Sequence, residues 1–284
     1  MKMNIIWKKR VSLGIRHLLL TAVGLIMIYP MIWMVGASFK ASNNEIFSSI
    51  GFIPAHPTFE AYRKGWKSTE TVFATYMLNT YKFVIPKVIG TVLSATITAY
   101  GFSRFQYRGK GLLFGLLLST LLLPQVVLNV PQFLMFNKFG WLDTYLSLVV
   151  PSFFAGDTYF VYMLIQFMRS IPRELEEAAE IDGCNTWQRL WLIMTPMVKP
   201  SMVSCALFQF MWASNDFMGP LIYINTVRKY PAALGLRLIM DSESGFEWNK
   251  VLALSVIVIL PSVAVFLSAQ NQFIDGVAAG GLKG

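Results

Sequence analysis

The chain has 284 residues, of which 55% are hydrophobic and 14% are charged, and its mean hydropathy is +0.53. A soluble domain usually carries about 25% charged residues, so this composition excludes an ordinary soluble protein and indicates a membrane protein. The net charge of +9 would suit a nucleic-acid-binding protein, but the basic residues lie mainly between apolar segments. We therefore assign them to helix orientation and lipid headgroup contact, and we expect no nucleic acid partner.

Six apolar segments are long enough to cross a bilayer as helices, which takes about 20 mainly apolar residues. The sequence therefore predicts an all-α integral membrane protein with six transmembrane helices, at Leu18–Ala37, Phe83–Gly101, Leu112–Val130, Tyr145–Met168, Ser201–Ile224 and Val251–Ala269. Prolines inside several of them are tolerated where neighbouring helices satisfy the freed backbone groups. The alternative is a large soluble domain with six buried helices, which the segment lengths and the low charge disfavour.

Topology follows from the basic residues before the first span, which are Lys2, Lys8, Lys9, Arg10 and Arg16. They place residues 1–17 in the cytoplasm and resemble the start of a signal peptide, but the apolar run is too long for a signal core. We interpret this segment as a retained first helix. Residues 18–270 then form the transmembrane domain, with a cytoplasmic loop at 169–200, an outer loop at 225–250 and a cytoplasmic tail at 271–284. Several basic residues of the outer segments oppose this orientation, but long loops follow the rule poorly.

The most charged stretch runs from Glu174 to Pro196 and is predicted to form two helices with a break. Its signals are Pro172 in a first helical turn, acidic residues at the helix start, Gly183 as terminator, and an Asn185–Gln188 capping box. The second helix has an apolar face at helical spacing, formed by Trp187, Leu190, Trp191 and Met194. Pro196 and Pro200 mark the return to the membrane. A solvated surface hairpin would carry the same signals, so these residues alone leave a docking role open.

This stretch also carries a family resemblance. Glu177-Ala178-Ala179, then Gly183, Ile193 and Thr195-Pro196, resembles the cytoplasmic EAA loop of membrane subunits of bacterial ABC importers. The longer form EAAEIDG resembles the sugar-importer branch, and Thr195 departs from it, because that branch usually has leucine there. Further similarity to maltose-type, MalG-like permeases covers Phe52–Tyr62, Asn79-Thr80, Ala99–Phe105, Leu123-Pro124, Phe139–Tyr145 and Gly280–Gly284. Within that family the nearest resemblance is to permeases of alginate-oligosaccharide importers.

The resemblance implies an ABC type I importer permease fold with a cytoplasmic coupling helix, in the inner membrane of a bacterial cell with both termini cytoplasmic. It implies a homologous second permease, two ATPase subunits, an extracytoplasmic solute-binding protein, membrane lipid and a saccharide as partners. The ATPase-coupling residues it assigns are Glu174, Glu177, Ala178, Ala179, Asp182 and Gly183. The sequence contains no G-x-x-x-x-G-K-[ST] loop, so we expect a non-catalytic subunit without a cofactor, with ATP and Mg bound by the separate ATPase.

Polar residues inside the spans are candidates for the translocation path, because such residues tend to face a cavity or another helix. Sugars present apolar faces and hydroxyl edges, which suit aromatic rings beside amide groups. The substrate-path candidates are Gln125, Asn129, Gln209, Trp212, Asn215 and Asp216, with Asp157, Gln166 and the aromatic neighbours Tyr159, Tyr162, Phe208 and Phe210. Ordinary packing and bonds between helices are the alternative for each of them.

Two other functional classes stay open from the residues. An ATP-independent secondary transporter or channel subunit also fits six spans, although no inverted repeat is evident, and copurification with an ATPase would separate the two. A membrane-embedded enzyme is disfavoured, because no H-E-x-x-H or G-x-S-x-G occurs and the topology puts His17 and His56 in different compartments.

Cys184 and Cys205 have neither metal-site spacing nor a disulfide framework. The outer loop, which includes Arg228–Pro231 and Asp241–Gly245, is by resemblance a contact for the solute-binding protein, or else a solvated loop.

Overall fold

The computed structural model describes the backbone of residues 2–48, 51–240 and 247–281, and the side chains of 12–48, 51–240 and 247–270. The described backbone is helical and contains no strand. Its α-helices are α1 (Lys2–Ser38), α2 (Asn43–Ser48), α3 (Glu60–Gly65), α4 (Phe73–Arg104), α5 (Lys110–Leu122), α6 (Gln125–Lys138), α7 (Leu146–Val149), α8 (Thr158–Arg169), α9 (Glu174–Ile181), α10 (Thr186–Gln188), α11 (Thr195–Ser214), α12 (Met218–Tyr223), α13 (Ala232–Met240) and α14 (Trp248–Gly281). Three sets of residues named above lie outside the described parts. They are the polar run Asp241–Gly245, residues 282–284 of the tail that resembles the family, and the side chains of Lys2, Lys8, Lys9 and Arg10.

Length and composition allow five of the described helical segments to cross a membrane, and a bent pair raises the number to six if it forms one span. The five are Ser12–Ser38, Phe73–Arg104, Leu146–Arg169, Thr186–Ser214 and Trp248–Gln270, and the bent pair is α5 with α6. Each predicted segment overlaps one of these. Pro30, Pro86 and Pro261 lie inside helices, which confirms that prolines within the spans are tolerated.

The third predicted span, Leu112–Val130, is wrong as a continuous helix. It breaks at Leu123 and Pro124, where α5 and α6 meet at 105°. Both residues are extended, with ψ of 123° and 127°. Proline disfavours the helical conformation of the preceding residue and lacks the N–H that would continue the ladder, and here, unlike at Pro30, Pro86 and Pro261, the helix stops.

The fifth predicted span, Ser201–Ile224, is wrong at both ends. The helical segment begins at Thr186 and ends at Ser214, and α12 is a separate short helix. Polar side chains close the break: Asn215 Nδ2 donates to the carbonyl of Met211 at 2.8 Å, and Asp216 Oδ1 accepts from the Gly219 N–H at 3.0 Å. Such local bonds offer the backbone an alternative to the helix ladder.

The described chain forms two compact units, which comprise the described parts of 1–69 with 236–258, and of 70–235 with 259–284. In the first unit, the segment that follows α1 folds back onto the end of that helix. The Thr58 N–H donates to the Phe39 carbonyl at 2.9 Å, and the hydroxyls of Ser38 and Tyr62 are 2.7 Å apart. Asn43 Oδ1 accepts from the Trp248 N–H at 2.9 Å. These hydrogen bonds, together with the packing of Phe39 against Phe59 and Tyr62, hold the segment Phe52–Tyr62 in place. This segment carries part of the family resemblance.

The second unit is packed around α4. One apolar cluster joins α4 to α8 and α11, and a second joins α4 to α6, α7 and α12; their fully buried members include Ala99, Phe160, Leu164, Met168, Met194, Cys205, Phe83 and Val84. Between them, Gly90 gives the 3₁₀ turn Val150–Phe154 room to approach. A Cβ at Gly90 would lie 2.5 Å from Phe153 Cδ2 and 2.7 Å from Ser152 Oγ.

Asp143, in the connection between α6 and α7, binds the segment Asn225–Lys229 of the same unit. Asp143 accepts from the Asn225 N–H at 3.0 Å, the Thr226 N–H at 2.9 Å, the Thr226 hydroxyl at 2.7 Å and Lys229 Nζ at 2.7 Å. Burial alone would raise the pKa of the Asp143 carboxyl, but the hydrogen bonds from Lys229, Thr226 and Asn225 outweigh it and hold this pKa well below its usual range. Arg228 pairs with Glu70, so Arg228 and Lys229 both have acidic partners.

We expect Gly90→Ala to destabilise the protein, because the new methyl group displaces Ser152 and Phe153. Overpacking of this kind typically costs about 1–3 kcal/mol. Gly101→Ala is the matched control, since Gly101 lies in the same helix and a Cβ there meets nothing within 4 Å. Thermal unfolding of the detergent-solubilised protein measures both. Equal midpoints for the two variants would contradict the close-packing argument.

We expect Asp143→Asn to lower the stability at neutral pH by about 1 kcal/mol, since charge-assisted bonds are lost and Lys229 is partly exposed. Asparagine tolerates the left-handed backbone at this position, where φ is 56°. Because the folded pKa is depressed, the carboxylate contributes fully above the unfolded pKa of about 3.9 and loses its contribution as the pH falls toward the folded pKa. The difference in unfolding midpoint between wild type and variant should therefore shrink below about pH 4. A difference that stays constant with pH would contradict this role.

Candidate coupling site and polar positions in the spans

The acidic stretch folds as a helical hairpin, here called the coupling hairpin and comprising residues 171–194. Gly183 ends its first arm with φ of +87°, the left-handed conformation expected of a glycine terminator. Asn185 Oδ1 accepts from the Gln188 N–H at 2.9 Å, and Gln188 Oε1 accepts from the Asn185 N–H at 2.8 Å. The predicted break and capping box are thus confirmed.

Two local details of the hairpin differ from expectation. Pro172 lies outside α9, because the cap is Arg173 and the helix begins at Glu174. The second arm leaves α-helical geometry after α10 and forms a π-helix over Arg189–Met194, which runs directly into α11. The predicted apolar face is therefore split: Leu190 and Met194 are buried, whereas Trp187 is 59% exposed and Trp191 36%.

The predicted coupling residues lie together on this hairpin. Five of the six are exposed, namely Glu174, Glu177, Ala178, Asp182 and Gly183, and Ala179 is buried against the body of the unit. Two large apolar side chains accompany the acidic ones, Leu175 at 44% exposure and Ile181 at 87%. An acidic surface with a protruding isoleucine is an arrangement suited to a protein partner.

The sequence argument missed the role of Glu176. Its side chain is the buried acidic group of α9, and it forms an ion pair with Arg104 at the end of α4. Its second oxygen accepts from the Tyr100 hydroxyl at 2.8 Å. The available signal was the three-residue spacing of Glu176 and Ala179, which puts both on one helix face. Arg104 gave no such signal, because in the sequence it is one of several basic residues of a short connection between two predicted spans.

A polar cluster lies inside the second unit within the fourth predicted span, Tyr145–Met168, which is not one continuous helix, because residues 155–157 separate the 3₁₀ turn Val150–Phe154 from α8. Asp157 follows Ala155, whose φ is +56°, and is about halfway along the span Leu146–Arg169. Its Oδ2 accepts from Thr91 Oγ1 at 2.6 Å and from Gln209 Nε2 at 3.0 Å. The carboxylate thereby joins α4, α8 and α11.

Aromatic rings flank this cluster. Trp212, which is 51% exposed, lies one helical turn beyond Gln209, with its ring centroid 5.3 Å from Tyr159 and 5.1 Å from Phe160. Phe208 follows at 6.2 Å. The structure thus brings Gln209 and Trp212 together with Asp157 and Tyr159, and we call this group the polar–aromatic corner.

The other path candidates are dispersed. Gln125 donates to Gln132 at 3.2 Å on α6, and Asn129 is half-buried on the same helix. Asn215 and Asp216 bond the backbone at the break described above, and Gln166 is exposed on α8. These side chains do not join the polar–aromatic corner through any hydrogen bond found among the described residues.

Comparison with known proteins identifies the family. Residues 91–273 match the family described as "Binding-protein-dependent transport system inner membrane component". The galactooligosaccharides transport system permease protein GanQ of Bacillus subtilis is 28% identical over 98% of both chains. The diacetylchitobiose uptake system permease protein NgcG of Streptomyces coelicolor is 30% identical over 94% of this chain and 88% of its own.

Solved structures agree on the fold. A chain of a bacterial ABC transporter involved in the import of the acidic polysaccharide alginate superposes with a TM-score of 0.79, at 22% identity, over 93% of this chain and 97% of that one. The predicted all-α ABC importer permease fold is thereby confirmed. The chain belongs to the family of inner membrane components of binding-protein-dependent transport systems.

Proposed function

We infer that this chain is the membrane-spanning permease subunit of an ATP-driven sugar importer. The observation that carries this conclusion is the coupling hairpin, whose exposed Glu174, Glu177 and Ile181 project from a body with the fold of an ABC importer permease. The sugar class is supported by the relatives, since GanQ and NgcG are named for oligosaccharide transport and uptake. A multi-pass position in the inner membrane accords with the family and the apolar helices.

We propose that the hairpin docks on one of two separate ATPase subunits, which bind ATP and Mg. Glu174 and Glu177 would meet basic groups of that partner, with Ile181 entering an apolar recess. Closure of the ATPase pair would push the hairpin, and rigid-body motion of the attached helices would switch the path between inward- and outward-facing states. This role requires the hairpin, and with it both termini, to lie on the cytoplasmic side.

We propose further that a homologous second permease completes the translocation path and that a solute-binding protein delivers the saccharide. The polar–aromatic corner is the best candidate in this chain for sugar contact, because it combines an exposed indole ring with Asp157 and Gln209. Gln125, Asn129, Asn215 and Asp216 remain candidates with weaker support. An oligosaccharide is the proposed cargo, and the acidic class represented by alginate is the first to be tested.

Docking is tested by photocrosslinking from Ile181→Cys in a Cys184→Ser background, with a benzophenone maleimide, in membranes that contain the complete transporter. We expect a covalent product with the ATPase, because position 181 is the most exposed apolar site of the hairpin. Ile53→Cys is the control, since it is 74% exposed on a segment assigned to the outer side. Crosslinks to the ATPase from position 53 but not 181 would contradict docking through the hairpin, whereas ATP-independent uptake by this chain would favour the secondary-transporter or channel alternative.

Sugar contact is tested by Trp212→Ala, with uptake of maltotriose as a neutral probe and an alginate trisaccharide as an acidic one. Loss of an aromatic platform worth about 0.5–1.5 kcal/mol should raise the transport KM roughly 2- to 13-fold. Leu122→Ala is the control, since that side chain is 84% exposed on α5. An unchanged KM for every transported probe would remove Trp212 from the path.

A further inference from the structure

Arg104 is the residue through which α4 holds the coupling hairpin. We propose that Arg104, Glu176 and Tyr100 form a rigid joint, here called the Arg104 joint, which passes motion of the hairpin to α4. This inference rests on the proposed function, because it identifies which residues transmit the ATPase movement within this chain. They act as positioning residues and need not touch the ATPase or the saccharide.

Arg104 binds the hairpin at three places along its course. Its Nη2 donates to the Ile171 carbonyl at 3.1 Å, where the hairpin begins, and to Met194 Sδ at 3.6 Å, where it ends. Between them, its guanidinium pairs with Glu176 on α9. One side chain thus fixes the entry, the first arm and the exit, so the hairpin cannot pivot about a single contact.

Burial makes this joint stiff. The Arg104 and Glu176 side chains are 7% and 9% exposed, and the Tyr100 hydroxyl bonds the same carboxylate at 2.8 Å. Separating a buried pair leaves an uncompensated charge on each side, which is strongly unfavourable. The second ion pair of the hairpin, Arg189 with Glu180, lies within the hairpin itself, and its glutamate is 62% exposed. It therefore cannot connect the hairpin to α4.

Helix α4 carries the motion onward to the polar–aromatic corner. Thr91 lies thirteen residues before Arg104 in the same helix, which corresponds to about 20 Å at 1.5 Å per residue. Its hydroxyl bonds Asp157, and the same carboxylate bonds Gln209. Displacement at Arg104 consequently reaches the proposed sugar contact through one continuous helix and one hydrogen bond.

The joint is tested by measuring the distance between nitroxide labels at Leu175 and Leu78, which are 44% and 62% exposed on the hairpin and on α4. The reconstituted transporter carries Cys184→Ser and is measured without nucleotide and with Mg-ATP plus vanadate. We expect one narrow distance distribution, unchanged by nucleotide, because the two elements move together. Glu176→Gln should broaden it at least about twofold, since the variant leaves Arg104 buried and unpaired.

Glu70→Gln is the matched control, because Glu70 also pairs with an arginine Nε, that of Arg228, but is 58% exposed and outside the hairpin. It should leave the distribution and the ATP hydrolysis rate as in wild type. In Glu176→Gln, ATP hydrolysis should persist while uptake of the saccharide probe is lost, because motion of the hairpin no longer reaches the corner. If Glu176→Gln does not assemble, Tyr100→Phe and Arg104→Lys, which keep the charges, provide the same measurement with smaller broadening.

Two results would overturn the joint: a wild-type distance that changes with nucleotide, or a Glu176→Gln distribution as narrow as wild type. Failure of the proposed function is recognised separately, by the absence of any ATPase bound to the wild-type chain. The distance distribution without nucleotide would still test the joint in that case, because it requires only the folded permease.

Discussion

The pairing of polar groups in a low-dielectric interior is the constraint on which the second unit depends. Unpaired polar groups cost several kcal/mol in such surroundings. Several polar side chains along α4 avoid this cost, because each of them has a hydrogen-bond or ion-pair partner on a neighbouring segment. Asn79 donates to the Arg228 carbonyl at 2.7 Å near its start, and Thr91 and Ser94 bond Asp157 and the Ser152 carbonyl at 2.6 Å each in its middle. Arg104 closes the series at its end. Apolar packing alone would let neighbouring helices slide, whereas these bonds fix their register.

This arrangement separates two kinds of acidic residue in one short helix. Glu174 and Glu177 face outward and are free to meet a partner, whereas Glu176 faces inward and is already paired. A single turn of helix thus presents one surface for recognition and another for attachment. Under the proposed coupling role, this division lets a segment of only eight residues receive a force and pass it on.

Much of the fold could be predicted from the sequence, because its strongest signals are local. Long apolar runs identified the spans, Gly183 identified the end of α9, and Asn185 with Gln188 identified the start of the second arm. The EAA pattern identified the family, which the match over residues 91–273 supports. The predicted coupling residues lie together on one hairpin because they fall within ten positions of the chain, and their contact with an ATPase stays a prediction.

The remaining features depend on contacts between distant residues or on competition between weak local preferences. Arg104 and Glu176 are seventy-two positions apart, so nothing in either neighbourhood indicated their pairing. Asp157 joined Thr91 and Gln209 only once three helices were packed together. The breaks at Pro124 and Asn215 arose where side-chain or proline chemistry prevailed over an apolar run that otherwise favoured a continuous helix.

The π-helical turn at Arg189–Met194 limits how this segment can vary in length. A π turn holds one more residue than an α turn, and here the Thr195 hydroxyl bonds the Leu190 carbonyl five positions back at 2.9 Å. The wide turn takes up that extra residue, so the helix on either side keeps nearly the same rotational phase, and Leu190 and Met194 both reach the apolar core. One residue added to regular α geometry would instead rotate everything before it by about 100° relative to α11. The length of this segment can therefore change by one residue within the π turn, whereas the same change inside α11 would turn the first arm away from α4.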